Sequence, residues 1–408
     1  MMANEISVAL IHEKAKAYRS AMTGYLRELI AIPSPSGKEE RIVRRVEQEM
    51  QNAGFDEILI DDFGSVVGRL GSRGPRIVFD SHLDTVGVSD PAAWNFDPYG
   101  GKVEGDAVWG RGAADNKAAT ASQLYAARMI RELIPGNELP FTLFMVGSVQ
   151  EEDCDGLALG RLITHTLNHV DCVVLGECTN CQIYRGHRGR TELLVETRGV
   201  SCHASNPDRG ENAIYKMAPL IREIEQLDTK LGTDPFLGKG SIAITKIECD
   251  TDSLNCVPSA CRIYIDRRIT RNDSRGEVIE QLRRLPSASQ AHISILRREI
   301  TSWTGRNLEK DQYFPAWALD ESHELVQRAC KTYEWLFDAP ARVGKWIFST
   351  NGVATMGELG IPTIGFGPGE EQFSHSAQDH VPIDHLTRAA AFYAAFPFVY
   401  SRAIAARS

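Results

Sequence analysis

Five short clusters in this chain carry side chains able to bind metal or move protons. They are Ser81-His82-Leu83-Asp84-Thr85, Asp115 in R-G-A-A-D-N-K, Glu151-Glu152 in Q-E-E-D, Glu177 in G-E-C and His375 in S-H-S. Each follows an apolar, strand-like run or lies in a loop. Together they offer enough oxygen and nitrogen ligands for two divalent ions, with one carboxylate to spare. A spare carboxylate beside a metal pair is what a hydrolase needs to activate water.

Each cluster also has an ordinary reading. An imidazole presents one lone pair to a metal only if its other nitrogen is held, and Asp84 is placed to accept that N–H from His82. A satisfied core histidine beside a surface aspartate would look the same. Asp115 stands between the Gly-rich loop Gly110-Arg111-Gly112 and a helix. There its two oxygens could bridge two cations, or it could simply cap the helix. Glu151 and Glu152 are neighbours at a strand end, and in extended chain they would point to opposite sides. One could then bind metal while the other faces water; a solvated acidic turn running on to Asp153 and Asp155 is the plain alternative. Glu177 and His375 say little singly. The combination carries the argument, because sites in open α/β sheets gather at the carboxyl ends of strands.

The elements that must position these residues alternate. Helical patterns at 10–32 (ended by Pro33 and Pro35) and 36–52 come first, the second with Ser36 and Glu39 spaced as a capping box. Apolar strands are expected at 76–80, 141–149 and 172–175, with helices at 117–133 and 157–167 between them. That is an α/β layer with helices covering a largely parallel sheet. The texture changes near Arg190. Strands at 191–197, 241–247, 261–267 and 292–296, with helices at 212–227 and 275–282, give the β-α-β-β-α-β order of a ferredoxin-like α+β unit. The α/β layer resumes with a helix at 322–335, a buried strand at 361–366 and a closing helix at 385–400. The expected division is a catalytic domain of residues 1–189 and 301–408 with an inserted lid or dimerisation domain at 190–300.

Composition narrows the function classes. At 408 residues the chain is too long for one comfortable core. The 43% apolar and 24% charged fractions are those of a soluble globular protein. The net charge of −9 is spread along the chain and argues against a nucleic-acid partner. Residues 1–20 lack the uninterrupted apolar core of a signal peptide, and no stretch reaches the length of a membrane span. Nine scattered cysteines, an odd number, fit reduced thiols in a cytoplasm better than a disulfide framework.

The chain resembles the zinc-dependent family of acetylornithine deacetylase, succinyl-diaminopimelate desuccinylase, aminoacylase and carboxypeptidase G. The likeness runs almost end to end, in order and spacing. Gln150 to Gly156, Tyr264-Ile265-Asp266-Arg267-Arg268 and Phe348-Ser349-Thr350-Asn351-Gly352-Val353 are most similar to its branch of selenium-metabolism-linked hydrolases. The resemblance implies roles residue by residue. His82 and Glu177 would hold one zinc, Glu152 and His375 the other, and Asp115 would bridge them; cobalt or manganese are alternatives to zinc. Glu151 would be the general base, with Asp84 orienting His82. A cis peptide is implied at Asp115-Asn116, and Ala118 stands where relatives usually carry glycine. In Gly199-Val200-Ser201-Cys202-His203-Ala204-Ser205, His203 would reach into a partner subunit's site to stabilise the oxyanion, which implies a homodimer. Asn255 would also be supplied in trans. Arg188 and Arg268 match anion-binding positions for a substrate carboxylate, and Gly367 lies in a loop lining the pocket. Asn351, also expected among the substrate contacts, stands where many relatives carry aspartate. The activity implied is cleavage of an amide or ureido bond in a small N-acyl or N-carbamoyl amino acid, with a dipeptidase or carboxypeptidase as the alternative. Retention of Glu177 favours the deacylase side, since aminopeptidases more often carry aspartate there.

Two other classes compete. Cys178-Thr179-Asn180-Cys181 is a C-x-x-C, but a single pair with no second pair at zinc-finger spacing. A binding protein that had lost catalysis would be expected to lack a ligand or the base, and none is missing.

Overall fold

The computed structural model describes residues 6–134 and 138–405; residues 1–5, where the stretch read for a leader begins, lie outside them. The strands Arg76–His82, Thr142–Ser148 and Cys172–Leu175 are buried along nearly their whole length, as strands covered on both faces must be. They pair in parallel, and Thr363–Gly365 extends the parallel set beyond Cys172–Leu175. Their alternation divides the side chains between two cores. Ile77, Phe79, Leu143, Met145, Cys172 and Val174 pack with the helices Ala118–Leu133 and Ile383–Ala405. Val78, Phe144, Val146, Val173 and Leu175 pack against Leu159 and Leu162 of the helix Leu157–Leu162 on the other face.

The nine-stranded sheet is parallel through its centre and mixed toward its edges. Glu57–Ile60 and Val66–Leu70 add one antiparallel flank. Ile183–His187 and Trp317–Ala318 add the other, with Val343–Trp346 parallel to Ile183–His187. Outside it, the helix Glu40–Ala53 buries Ile42, Val43, Val46 and Met50, the spacing of one helical stripe. It ends on Gly54 at φ 74°, a left-handed cap that glycine adopts without strain.

A second antiparallel sheet runs in the order Ser241–Asp250, Ala260–Ile269, Gly189–Arg198, Ala291–Ile295. With the helices Ala213–Asp228 and Arg275–Arg283 it forms a ferredoxin-like unit. It has its own core, including Leu193, Val195, Met217, Leu220, Ile263 and Val278. Tyr313–Phe314 still pairs with Gly189–Arg198, so the chain leaves this sheet at Phe314 and rejoins the larger one at Trp317–Ala318.

Two local expectations change. The helix expected at 10–32 is two, Val8–Ala17 and Arg19–Ile30, meeting at Tyr18. The Ser36–Glu39 capping box does not form. Glu39 instead accepts from the backbone N–H groups of Gly37 (3.0 Å) and Gln150 (3.1 Å), and Ser36 Oγ donates to Asp84 Oδ2 (2.7 Å). Both side chains turn inward because the loops around the cluster present stronger partners than the helix start. No helix among the described residues is long and apolar enough to cross a membrane.

Candidate metal centre

The parallel strands deliver the cluster. His82 is the last residue of Arg76–His82, Glu151 and Glu152 follow Thr142–Ser148, and Glu177 follows Cys172–Leu175. All lie at carboxyl ends, as such sheets arrange their sites. Asp115 occupies the turn before the helix Ala118–Leu133, and its peptide bond to Asn116 is cis. His375 comes from the loop after Thr363–Gly365, at φ 58°. Left-handed backbone is uncommon outside glycine and collects at functional loops.

The six side chains converge. His82 Nε2 lies 2.9 Å from Asp115 Oδ1 and 3.5 Å from Glu177 Oε1. His375 Nε2 lies 3.3 Å from Asp115 Oδ2 and 3.0 Å from Glu152 Oε2. The two oxygens of Asp115 therefore face two different imidazoles. Glu151 Oε2 is 4.0 Å from His82 Nε2. Ligand-type atoms of His82, Glu151 and Glu177 lie within 4.8 Å of one another, as do those of His82, Asp115 and Glu152. Spacing alone thus does not separate Glu151 from the ligands.

Electrostatics test whether cations fit. Burial pushes Glu151 and Glu177 well above the ordinary carboxylate range, with His82 partly opposing and neighbouring carboxylates adding to the rise. Burial and then Asp115 raise Glu152. Burial also acts on Asp115, but His375 and His82 outweigh it and hold that carboxyl below its usual range. His82 is driven well above a normal imidazole: burial opposes, and Glu177, Glu151, Asp115 and Asp84 prevail. Asp115 and then Glu152 lift His375 to about 10. Among the described residues the ion pairs of Asp115, Glu151, Glu152 and Glu177 are to these two imidazoles alone, with no lysine or arginine. A cation-poor set of four carboxylates and two imidazoles, buried except at His375 and in part at Glu152, is what divalent ions match: they remove the like-charge cost and take both ligand types.

Asp84 holds this arrangement differently from the expectation. His82 Nδ1 donates to the backbone oxygen of Asp84 at 2.9 Å, while the nearer carboxylate oxygen is 3.6 Å away. The carboxylate itself accepts from the backbone N–H of Glu151 (3.1 Å) and of Glu152 (3.0 Å). One residue fixes the imidazole with its main chain and the Glu151–Glu152 turn with its side chain. That turn also corrects the opposite-sides argument. Gln150 has φ 60° and the chain is no longer extended, so both glutamates line one cavity.

A sequence model for the M20 peptidase dimerisation domain matches residues 185–293. The chain is 43% identical over 399 residues to YgeY of Escherichia coli K12, a protein described as uncharacterized, covering 97% of this chain and 98% of that one. The chain belongs to the M20 family of metal-dependent peptidases and deacylases. A succinyl-diaminopimelate desuccinylase of Cereibacter sphaeroides is 29% identical over 260 residues, 61% of this chain and 67% of its own. The fold matches that of the YXEP protein of Bacillus subtilis, described as a dinuclear metal-binding peptidase from the M20 family. Its TM-score is 0.70 at 17% identity, covering 95% of this chain and 99% of that one. This M20 chain is a metal-dependent amidohydrolase.

The cavity of this M20 hydrolase, about 520 Å³, opens over Asp115, Glu151, Glu152, Glu177 and His375. Its far wall brings Arg190 and Arg268 from the smaller domain, with Phe348 and Ile347 as an apolar side and Asp155 and Glu371 as acidic neighbours. Arg268 is there, its guanidinium paired with Asp266 at 2.8 Å. Arg188 is not. It donates to the backbone oxygens of Ile347 and Lys239, a seam between the domains, and Arg190 faces the cavity in its place. Asn351 does not line the cavity either. It is buried, accepting from Gly156 N (2.8 Å) and donating to Asp80 Oδ2 (2.8 Å) and Ser148 Oγ (3.0 Å), which uses its amide within the fold. Gly367 does not line the cavity; a Cβ there would come within 2.1 Å of Gly176 O, so its bareness lets the Glu177 loop pack. His203 and Asn255 sit together on exposed loops of the smaller domain, joined by the His203–Cys256 bridge and by Ala204 N donating to Asn255 O at 2.7 Å. Neither lines the cavity of its own chain.

Sequence reasoning missed Asp379. It is buried, accepts from Gly112 N (2.7 Å) and Ala114 N (2.9 Å) and pairs with Arg111, tying the His375 loop to the Asp115 turn. Its position four residues after His375 was the available signal.

Proposed function

We propose that the chain hydrolyses the amide or ureido bond of a small N-acyl or N-carbamoyl amino acid with two divalent ions at this centre. The observation that carries the reading is Asp115 set between two imidazoles, each with its own further carboxylate. His82 and Glu177 would hold one ion, His375 and Glu152 the other, and Asp115 both. The nitrogen-and-carboxylate donor set suits zinc, with cobalt or manganese as replacements, and such a pair acidifies water and polarises the scissile carbonyl.

The remaining chemistry belongs to the chain's own groups. Glu151, buried and with a raised proton affinity, accepts the proton of the attacking water on its carboxylate and returns it to the departing nitrogen. Arg268, with Arg190 beside it, takes the substrate carboxylate, for which a guanidinium is the matched partner. Exposed His203 and Asn255, outside their own cavity, support a homodimer in which each chain lends them to the other's site. There the imidazole would stabilise the oxyanion. Nine free cysteines support a reducing compartment such as the cytoplasm.

The test is Glu151→Gln, assayed on matched N-acyl, ureido and dipeptide substrates with metal content measured in parallel. We expect full metal content and turnover lower by about 10²–10⁴. Full activity in the variant would overturn the base assignment. Cleavage of the dipeptides alone would replace the deacylase reading with a dipeptidase.

A further inference from the structure

Cys249 and Cys261 are register partners on the adjacent antiparallel strands Ser241–Asp250 and Ala260–Ile269. Their sulfurs are 3.4 Å apart. One thiol is exposed and the other buried in the core of the smaller domain. The metal site uses neither. Opposed residues in such a ladder have Cβ atoms about 4.5–5.5 Å apart, close to the roughly 3.5–4.5 Å a disulfide requires. A small approach of the two strands closes the difference.

The pair stands at the neck of the segment 250–260. That segment carries Asn255, and it pairs with the His203 loop through Cys256. We propose that Cys249 and Cys261 form a reversible oxidation site, in which hydroperoxide oxidises the exposed thiol and the buried one closes a cross-strand disulfide at the base of the Asn255 loop. Burial, reinforced by the adjacent Cys249 thiol, pushes Cys261 up to about 12. It stays protonated, so the first attack falls to Cys249.

The chemistry balances with hydrogen peroxide as the oxidant. The Cys249 sulfur attacks one peroxide oxygen, the O–O bond breaks, and the sulfur keeps a hydroxyl as sulfenic acid while the other oxygen leaves as water. The Cys261 sulfur then attacks the sulfenic sulfur. The S–O bond breaks, and the hydroxyl departs with the Cys261 proton as a second water. Two thiols lose two electrons and one peroxide becomes two waters. A dithiol reductant reverses the outcome by exchange.

Control of turnover by this bond rests on the proposed role of His203 and Asn255; formation of the bond does not. The metal-loaded full chain is treated with graded hydrogen peroxide, its remaining thiols are alkylated, and its mass is read intact and after digestion. Trypsin leaves Cys249, Cys256 and Cys261 on one peptide, so a second protease cutting after acidic residues separates Cys249 from the others. The expected product is a Cys249–Cys261 link, two hydrogens lighter. We expect kcat/KM to fall about tenfold with metal content unchanged, recovering with dithiothreitol. Cys249→Ser should match the untreated enzyme in activity and resist peroxide. A link between other cysteines, or both thiols still alkylated after treatment, overturns the site. A Cys249–Cys261 link that leaves kcat/KM unchanged overturns its control of the loop.

Discussion

Asp84→Asn separates the two jobs of that residue. Its carboxylate is buried and accepts three hydrogen bonds, from Glu151 N, Glu152 N and Ser36 Oγ. An asparagine retains one oxygen, enough for Glu152 N and Ser36 Oγ, and turns its NH₂ toward Glu151 N. One bond to a charged acceptor is lost and one buried N–H is orphaned. Those losses cost about 2–4 kcal/mol together. The His82 ring is unaffected, because its Nδ1–H rests on the backbone oxygen, which the substitution keeps. The expected phenotype is near-normal metal content by elemental analysis, a lower urea midpoint, and kcat reduced about 10²-fold as the Glu151 turn shifts by about 1 Å. Loss of metal with kcat per bound metal intact would refute the reasoning. It would mean that the carboxylate, not the main chain, holds the imidazole.

Mixing His203→Ala with Glu151→Gln, each inactive alone, should restore part of the activity once subunits exchange; proven exchange without recovery excludes sharing across the dimer. His187 is held near 3, below its usual 6.5, by burial. The unfolded chain therefore takes up that proton first, and stability drops as pH falls below about 6.5, by up to about 1.4 kcal/mol per unit. His187→Gln should flatten that slope between pH 6.5 and 5 in denaturant titrations; an unchanged slope refutes the assignment. Gly367→Ala should cost about 1–3 kcal/mol by overpacking and lower metal per subunit by displacing the Glu177 loop. Wild-type metal content would dissociate that glycine from the site. Arg190→Ala should raise KM for carboxylate-bearing substrates with metal content unchanged, and an unaltered KM would remove it from the pocket.

The grouping of His82, Asp115, Glu151, Glu152, Glu177 and His375 was legible because metal chemistry restricts residue type and parallel strands restrict where such residues emerge. The ferredoxin-like unit was legible from alternation alone. The misplaced residues depended on what sequence spacing does not encode. Arg188 falls in the gap between Ile183–His187 and Gly189–Arg198, so which of two nearby arginines meets the cavity was set by where one strand stops and the next starts. Asp84 reaches His82 by its main chain, and a backbone oxygen has no residue signature. Asn351 looked available for substrate until the fold surrounded it with Asp80, Ser148 and Gly156. The parallel character of the larger sheet was legible at its centre, and its hairpin flanks were not.

The six side chains grouped at the candidate metal centre come from the larger domain, from strand ends and from loops, while both guanidinium groups on the cavity wall come from the smaller one. Under the proposed function, the groups that would hold metal and the guanidinium groups that would take the substrate carboxylate are carried on separate scaffolds, with His203 the one reacting group that the smaller scaffold lends. Variation around Arg190 and Arg268 would then retune what the enzyme accepts while leaving the metal-holding residues untouched.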